Sequence, residues 1–152
     1  MKYLTILLFI FNSSLSYSQE SNSNKILSNA NFQHLIKKDD VTVVLISSLT
    51  CGYCIKDINF NNNISKQFSD KNINFVMLLE EDLNFITREK GLKKISTNWL
   101  IVPNAHNVYK DFWELEMFPE VHVFKKGKKV TSFIDASEET KSNLVNYLKK
   151  IK

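Results

Sequence analysis

The sequence predicts an α/β domain with a central mixed β-sheet flanked by helices. Three observations predict it. Short β-branched runs such as VTVVLI at 41–46 and NFVMLL at 74–79 are almost continuously apolar, so they read as strands covered on both faces. Segments with helical spacing separate these runs, and that alternation makes a parallel sheet. Near the C-terminus, Val121 to Phe124, the turn Lys126-Gly127-Lys128 and Val130 to Ile134 read as a hairpin that adds an antiparallel edge.

Each element follows from local pattern. Phe32, Leu35 and Ile36 recur at helical spacing and predict a helix over Asn29 to Lys38. Val41 to Ile46 is the first strand, left by Ser47 to Thr50. A helix then runs from the Cys51-Gly52-Tyr53-Cys54 segment to about Ser69, with Ile55, Ile58 and Phe68 expected to face the core. Asn61-Asn62-Asn63 is poor helix material and is expected to kink or split it. Asn74 to Leu79 is the second buried strand. Glu81 to Lys90 forms a helix ended by Gly91, Trp99 to Val102 a short strand, Pro103-Asn104 a turn, and His106 to Trp113 a short helix. Ser137 caps a final helix, with Glu138 and Glu139 at its positive end and Lys149 and Lys150 at its negative end. Leu144, Val145, Leu148 and Ile151 form its buried stripe.

The 152 residues, 43% of them hydrophobic and including eleven Phe, suffice for one core, and no linker or repeat offers a second domain. The net charge of +4 is spread over scattered lysines and short pairs such as Lys37-Lys38 and Lys93-Lys94. Nucleic-acid binders concentrate their basic residues on one face or in a run, so the excess reads as a solvated surface and nucleic acid is not an expected partner. Residues 1–18 read as a secretory signal peptide. Lys2 is the positive start, Tyr3 to Phe11 the apolar stretch, and Ser16 and Ser18 the small residues of a cleavage site. The apolar stretch is too short to span a bilayer, which takes about 20 residues, and an uncleaved anchor is the alternative. Residues 19–27 are expected to be disordered and 28–152 to form the domain. The expected location is periplasmic or secreted.

The only two cysteines, Cys51 and Cys54, lie in the exported part. Two residues apart, they close a loop too small to stabilise the chain by constraining its unfolded state. A zinc site would need further ligands, there is no second Cys pair and only His34, His106 and His122 remain, so no cofactor or metal is expected. Chemistry is the better reason for the pair. It sits where a buried strand turns into a helix, and the unpaired N–H groups there are partly positive. A thiolate at Cys51 is stabilised in that place, so its pKa is expected to fall below the free value of about 8.5. Cys51 attacks a substrate disulfide, and Cys54, one turn on, attacks Cys51 to release the product. Gly52 allows a tight helix start, and Tyr53 offers an aromatic surface beside the reacting sulfur.

SSLTCGYCIKD on this junction, followed by FPEVHVFKKGKKV, resembles the thioredoxin superfamily over about residues 28 to 151. The resemblance implies a thioredoxin fold and a cis-proline at Pro119 opposite the CxxC. It also implies that the backbone at Phe118 pairs with the substrate peptide. Within the superfamily the chain looks most like the TlpA/ResA-like exported branch, which inserts a strand and a helix before the cis-proline strand. Asp82 to Met117 has that length and pattern. Those proteins often carry an acid three residues after the second Cys, associated with proton transfer; Asp57 stands there. Its plain reading is a solvated first-turn acid that complements the helix dipole.

The implied activity is that of a thiol–disulfide oxidoreductase, a protein-disulfide reductase for exported proteins. It would act as a monomer and be fed by a membrane electron donor. Thr50 replaces the Trp that often precedes the first Cys, Phe118 is bulkier than usual, and Gly52-Tyr53 matches the CGYC of the disulfide isomerase family DsbC. Disulfide isomerisation or oxidation therefore stays open. A Sco-like copper carrier is the other alternative, although Sco proteins use CxxxC spacing. His122 then has two readings, a structural sheet histidine or a group that tunes the thiolate or binds copper, and the structural one is preferred. His106 reads as a surface residue. Glu80 and Glu81 read as solvated charges just past a strand end. Phe112, Trp113 and Phe118 are candidates for a hydrophobic groove or for the core.

Overall fold

The structure, a computed structural model, describes residues 25–38, 40–89, 91–110 and 117–151. The expected signal peptide, 1–18, lies outside the described residues, as do Phe112 and Trp113. Among the described residues, six strands form one sheet: β1 (Lys25–Ile26), β2 (Val41–Ser47), β3 (Ile73–Leu79), β4 (Trp99–Val102), β5 (Glu120–Lys125) and β6 (Lys128–Ile134). Their spatial order is β1-β4-β3-β2-β5-β6. The first four run parallel; β5 is antiparallel to β2, and β6 antiparallel to β5. The predicted mixed sheet with its C-terminal hairpin edge is the one observed.

Five helices cover the sheet: α1 (Asn29–Ile36), α2 (Gly52–Gln67), α3 (Leu83–Arg88), α4 (His106–Tyr109) and α5 (Glu138–Lys150). On one face, Val43, Leu45, Phe75, Met77 and Ile101 meet Ile64 and Phe68 of α2, Ile86 of α3, and Leu144 and Leu148 of α5. On the other, Val44, Ile46, Val76 and Leu78 meet Phe32 and Ile36 of α1 and Val108 and Tyr109 of α4. Successive strand residues point to opposite faces, so a strand covered on both must be apolar throughout. All seven residues of β2 are buried, which is why VTVVLIS has no alternation.

The hairpin turn is two residues long, with Lys126 at φ 54° and Gly127 at φ 76°. Two consecutive positive φ values suit a tight hairpin, and the glycine takes the second without a Cβ penalty. Both turn amides donate to the end of α1, Gly127 to the Ile36 carbonyl at 2.8 Å and Lys126 to that of Lys38 at 3.2 Å.

Several expectations change. Residues 25–27 of the segment expected to be disordered pair with the sheet: Lys25–Ile26 adds a parallel strand to β4, and the Leu27 N–H donates to the Ile101 carbonyl at 2.7 Å. β4 leaves an edge free, and backbone pairing there needs no particular side chains. Helix α2 is continuous through the Asn triplet. Asn61 is buried, Asn62 donates to the Lys94 carbonyl at 2.8 Å and accepts the Ser96 N–H at 2.8 Å, and Asn63 is exposed. Tertiary hydrogen bonds thus offset the low propensity of Asn. Ile55 faces solvent, 43% exposed, because α2 turns Cys54, Asp57, Asn61, Ile64 and Ser65 inward. The third helix is shorter than expected. It starts after its cap Asp82, ends at Arg88, and is followed by a 3-10 turn at Gly91–Lys94. Helix α4 ends at Tyr109, and positions 111–113 of the longer expected helix lie outside the described residues.

Between β3 and β5 the chain inserts α3, β4 and α4, with β4 parallel to β3. This is the strand–helix insertion expected before the strand that begins after Pro119. The Phe118–Pro119 peptide bond is cis.

Candidate active site

Strand β2 delivers Ser47, Ser48, Leu49 and Thr50 to the first turn of α2. Cys51 is the N-cap of that helix, in extended backbone at φ −84° and ψ 118°. Its Sγ accepts the N–H of Cys54 at 3.3 Å, one of the donors that a helix start leaves unpaired. A sulfur in that place faces the positive end of a 16-residue helix, where negative charge is favoured. Both cysteines are free thiols; Cys51 is half-buried and Cys54 is buried, 4% exposed.

The two sulfurs therefore have different chemistry. Burial pushes the Cys54 thiol up to about 12, and the hydrogen bond with Cys51 adds to the rise; contacts with Ser48 and Ser47 oppose it in part. Cys54 is protonated at neutral pH, and only Cys51 is reachable from solvent as a nucleophile. Gly52 has open space where a Cβ would stand, so the tight start expected of it is not demanded sterically. Tyr53 is 69% exposed beside Cys51, with the Lys56 ammonium 5.8 Å from its ring centre.

The cis peptide lies at the same end of the sheet. Glu120, next after Pro119, is registered with Ile46 of β2, one residue short of the segment that leads to Cys51. Phe118 is half-buried and packs against the α1-side core, so its ring serves packing and its backbone is what it can offer a bound chain. Met117, 48% exposed, is the apolar side chain this loop presents to solvent.

Asp57 is not the solvated first-turn acid of the plain reading. It lies in the second turn of α2 on the inward face, 9% exposed, and its Oδ1 is 2.9 Å from the Lys141 ammonium of α5. Asp57 and Glu138 together raise the Lys141 pKa. Residues three apart on a helix share a face, so Asp57 follows Cys54 on the side turned to the core.

His122 takes the structural reading. It is 2% exposed and sits on the α1 face of the sheet, registered with Val44, away from α2. Its Nε2 is 3.0 Å from Glu120 Oε2 and its Nδ1 2.9 Å from Ser132 Oγ. Glu120, 1% exposed, also accepts the Met117 N–H at 2.9 Å through Oε1. This buried array ties the cis-proline loop to β5 and β6. Burial lowers the His122 pKa despite the pull of Glu120, so the ring is neutral at pH 7.

Glu80 and Glu81 are not solvated charges. Glu80 accepts the Tyr109 hydroxyl, and His106 Nδ1 is 3.3 Å from the same oxygen, so His106 belongs to this small network. Burial and Glu80 raise the Tyr109 pKa. Glu81 Oε1 accepts Ser48 Oγ at 2.6 Å and the Leu49 N–H at 2.8 Å, directly before Cys51. Sequence reasoning missed these partnerships and the Lys141–Asp57 pair. The one available signal was that both glutamates come just after the end of a central strand, where open α/β sheets place their sites.

A mixed six-stranded sheet flanked by helices, a CxxC motif at the first turn of the helix after a central strand, and a cis-proline opening the antiparallel strand β5 define this class: the chain has the thioredoxin fold. Comparison with solved structures agrees. Plasmodium falciparum thioredoxin matches with a TM-score of 0.56 and 19% identity, covering 84% of this chain and 99% of its own. A thiol:disulfide interchange protein of the thioredoxin family from Chlorobium tepidum matches with a TM-score of 0.59 and 13% identity, covering 78% of this chain and 83% of its own. The exposed lipoprotein thioredoxin of Streptococcus pneumoniae has a TM-score of 0.59 and 17% identity, covering 75% of this chain and 87% of its own. No protein-family model matches the chain, and no curated protein matches it in sequence.

These environments generate two measurements. With excess iodoacetamide at pH 8, mass spectrometry of the folded, reduced protein should find Cys51 alkylated and Cys54 intact. Cys54 should react only as the pH nears about 12, or when the protein unfolds. Equal rates at both sulfurs at pH 8 would refute this asymmetry. For His122, the unfolded chain takes up a proton near pH 6.5 that the folded ring resists, so stability falls as the pH drops below about 6.5. Each such group contributes at most about 1.4 kcal/mol per pH unit. Urea unfolding at pH 7 and pH 5.5 should show a smaller loss for His122→Gln than for the wild type; equal losses would remove His122 as the cause.

Proposed function

We propose that this protein is an exported thiol–disulfide oxidoreductase working as a protein-disulfide reductase of the TlpA/ResA-like kind. The observation that carries the reading is the asymmetry of the two sulfurs: Cys51 half-exposed on a helix cap, Cys54 buried with its thiol pushed up to about 12. A nucleophile must be reachable and a resolving thiol must wait. A buried, protonated Cys54 does not compete for the incoming disulfide.

The thiolate of Cys51 attacks one sulfur of a substrate disulfide. A Cys51–substrate disulfide forms, the substrate S–S bond breaks, and the first substrate sulfur leaves as a thiolate that takes a proton from solvent. Cys54 then gives up its proton and attacks Cys51 Sγ. The Cys51–Cys54 disulfide forms and the second substrate sulfur leaves as a thiol. Two electrons have passed to the substrate, and a dithiol on a membrane partner restores the pair. Asp57, one turn beyond Cys54 on the inward face, is the carboxylate that accepts the Cys54 proton, with Lys141 holding it in place. The backbone around Phe118 and cis-Pro119 receives the substrate chain, and Tyr53 contacts it from the helix side.

Exported proteins with disulfides are the substrates in this reading, and the protein acts as a periplasmic or secreted monomer. The signal-peptide pattern at 1–18 supports export, and so do the thiol:disulfide interchange and exposed-lipoprotein neighbours. The strand–helix insertion between β3 and β5 supports the TlpA/ResA-like subtype.

The test combines trapping with potential. Cys51→Ser should abolish reduction of a model protein disulfide, and Cys54→Ser should accumulate mixed disulfides visible on a non-reducing gel. Equilibration of the Cys51–Cys54 couple in thiol buffers should give a potential near that of thioredoxin, about −270 mV. A value near about −120 mV would reverse the direction and make the protein an oxidase or isomerase.

A further inference from the structure

We infer that Glu81 is the positioning residue of the reactive loop: its carboxylate holds Ser48, Leu49 and Thr50 so that Cys51 can cap α2. The inference rests on the proposed redox function and adds a residue outside the CxxC and cis-proline segments.

Between β2 and the cap Cys51 lie three residues, Ser48 to Thr50, outside both the ladder and the helix. A single oxygen, Glu81 Oε1, collects it. It accepts Ser48 Oγ at 2.6 Å, Leu49 N–H at 2.8 Å and Thr50 N–H at 3.2 Å, with Thr50 Oγ1 at 3.4 Å. Ser48 Oγ is also 2.8 Å from Thr50 Oγ1 and accepts the Thr50 N–H at 3.1 Å, so the loop closes on itself around the carboxylate. Hydrogen bonds to an ionised acceptor are about twice as strong as neutral ones, and here they converge directly before the nucleophile.

Glu81 is set by the fold. It comes two residues after Leu79, the last residue of β3, which is registered with Ser47, and the Glu80 N–H donates to the Ser47 carbonyl at 3.2 Å. The strand pair therefore brings position 81 under the loop. The side chain of Leu49 is held from the same segment. A Cβ at Gly91 would lie 2.4 Å from Leu49 Cδ1 and 3.4 Å from the Ile86 carbonyl, so Gly91 makes the seat for Leu49. Backbone and side chain of the loop are both gripped by the chain between β3 and β4. Oε2 of Glu81 is buried and has no hydrogen-bond partner among the described residues, so the acceptor function falls to Oε1.

Charge and grip can be separated. Glu81→Gln and Glu81→Leu both remove the negative charge; only Gln keeps an oxygen to accept the loop amides. Gln also puts an NH2 where Oε2 has no partner, which costs stability but leaves the loop held. The readout is the second-order rate of Cys51 alkylation by iodoacetamide at pH 7, with circular dichroism as the check on folding. Glu81→Gln should rescue the rate, and Glu81→Leu should react at least about fivefold more slowly than Glu81→Gln, the effect of about one lost hydrogen bond. Equal rates for the two variants overturn the inference. Ser48→Ala keeps the charge and deletes the shortest contact, so it carries the test if Glu81→Leu does not fold. It should react about threefold more slowly than the wild type, and an unchanged rate counts against the grip. Iodoacetamide needs no disulfide substrate. A wild-type protein that fails to reduce disulfides while the Gln–Leu difference stands would sink the proposed function and leave the role of Glu81 intact.

Discussion

The structure depends on one junction, where β2 stops and α2 begins. β2 is buried along its whole length and hydrogen-bonded on both sides, parallel to β3 and antiparallel to β5. A strand so held cannot slide or twist to accommodate the segment after it. Its end fixes where the helix must start, and the residue left at the boundary is the cap. Because that residue is Cys51, its sulfur takes the amide that a Ser or Asp side chain would ordinarily take. In the proposed function the residue that starts the helix is also the nucleophile, so capping and chemistry fall on one sulfur.

Thr42, Asn74 and Trp99 carry buried polar atoms without a hydrogen-bond partner among the described residues, whereas the buried charged groups beside α2 and β5 are paired. The inward face of α2 is unusually polar, with Cys54, Asp57, Asn61 and Ser65 buried along it. Asp57 meets Lys141, whose ammonium also lies 5.4 Å from the Phe60 ring centre and 2.8 Å from Glu138. On the other face, Glu120, His122 and Ser132 form a chain of contacts beneath the cis-proline loop. A buried ion pair often adds little net stability against an apolar replacement of the same shape, but breaking one partner is costly. One array ties α2 to α5 and the other ties the loop before β5 to the sheet, and these two segments are the walls of the candidate site.

The two walls differ in what they present. The helix wall offers an exposed aromatic ring, Tyr53, and a half-exposed sulfur; the loop wall offers Met117 and the backbone at Phe118. In the proposed function, a protein disulfide with locally extended backbone offers its own amides to that loop.

The fold class, and the placing of Cys51 and Cys54 at a strand–helix junction, are legible along the chain alone. The almost continuously apolar, β-branched runs at 41–46 and 74–79 read as strands covered on both faces, and the CxxC follows the first of them at the start of a helical segment. Ser137, Glu138, Glu139 and the lysines at 149 and 150 mark the last helix because capping and dipole effects act within one turn of the chain. Tertiary packing set every partnership between residues far apart in sequence. Ile55 turned outward and Asp57 inward because the sheet and α5 dictate which face of α2 is covered. The Asn triplet stayed helical because Lys94 and Ser96 supply hydrogen bonds from another segment. Glu80 and Glu81 found Tyr109 and the Ser48–Thr50 loop because the register of β2 and β3 brings them there. Propensity and periodicity are short-range properties that a local stretch of residues carries with it. Pairing of polar groups across the fold is set by where the packed elements stop, and no local pattern encodes that.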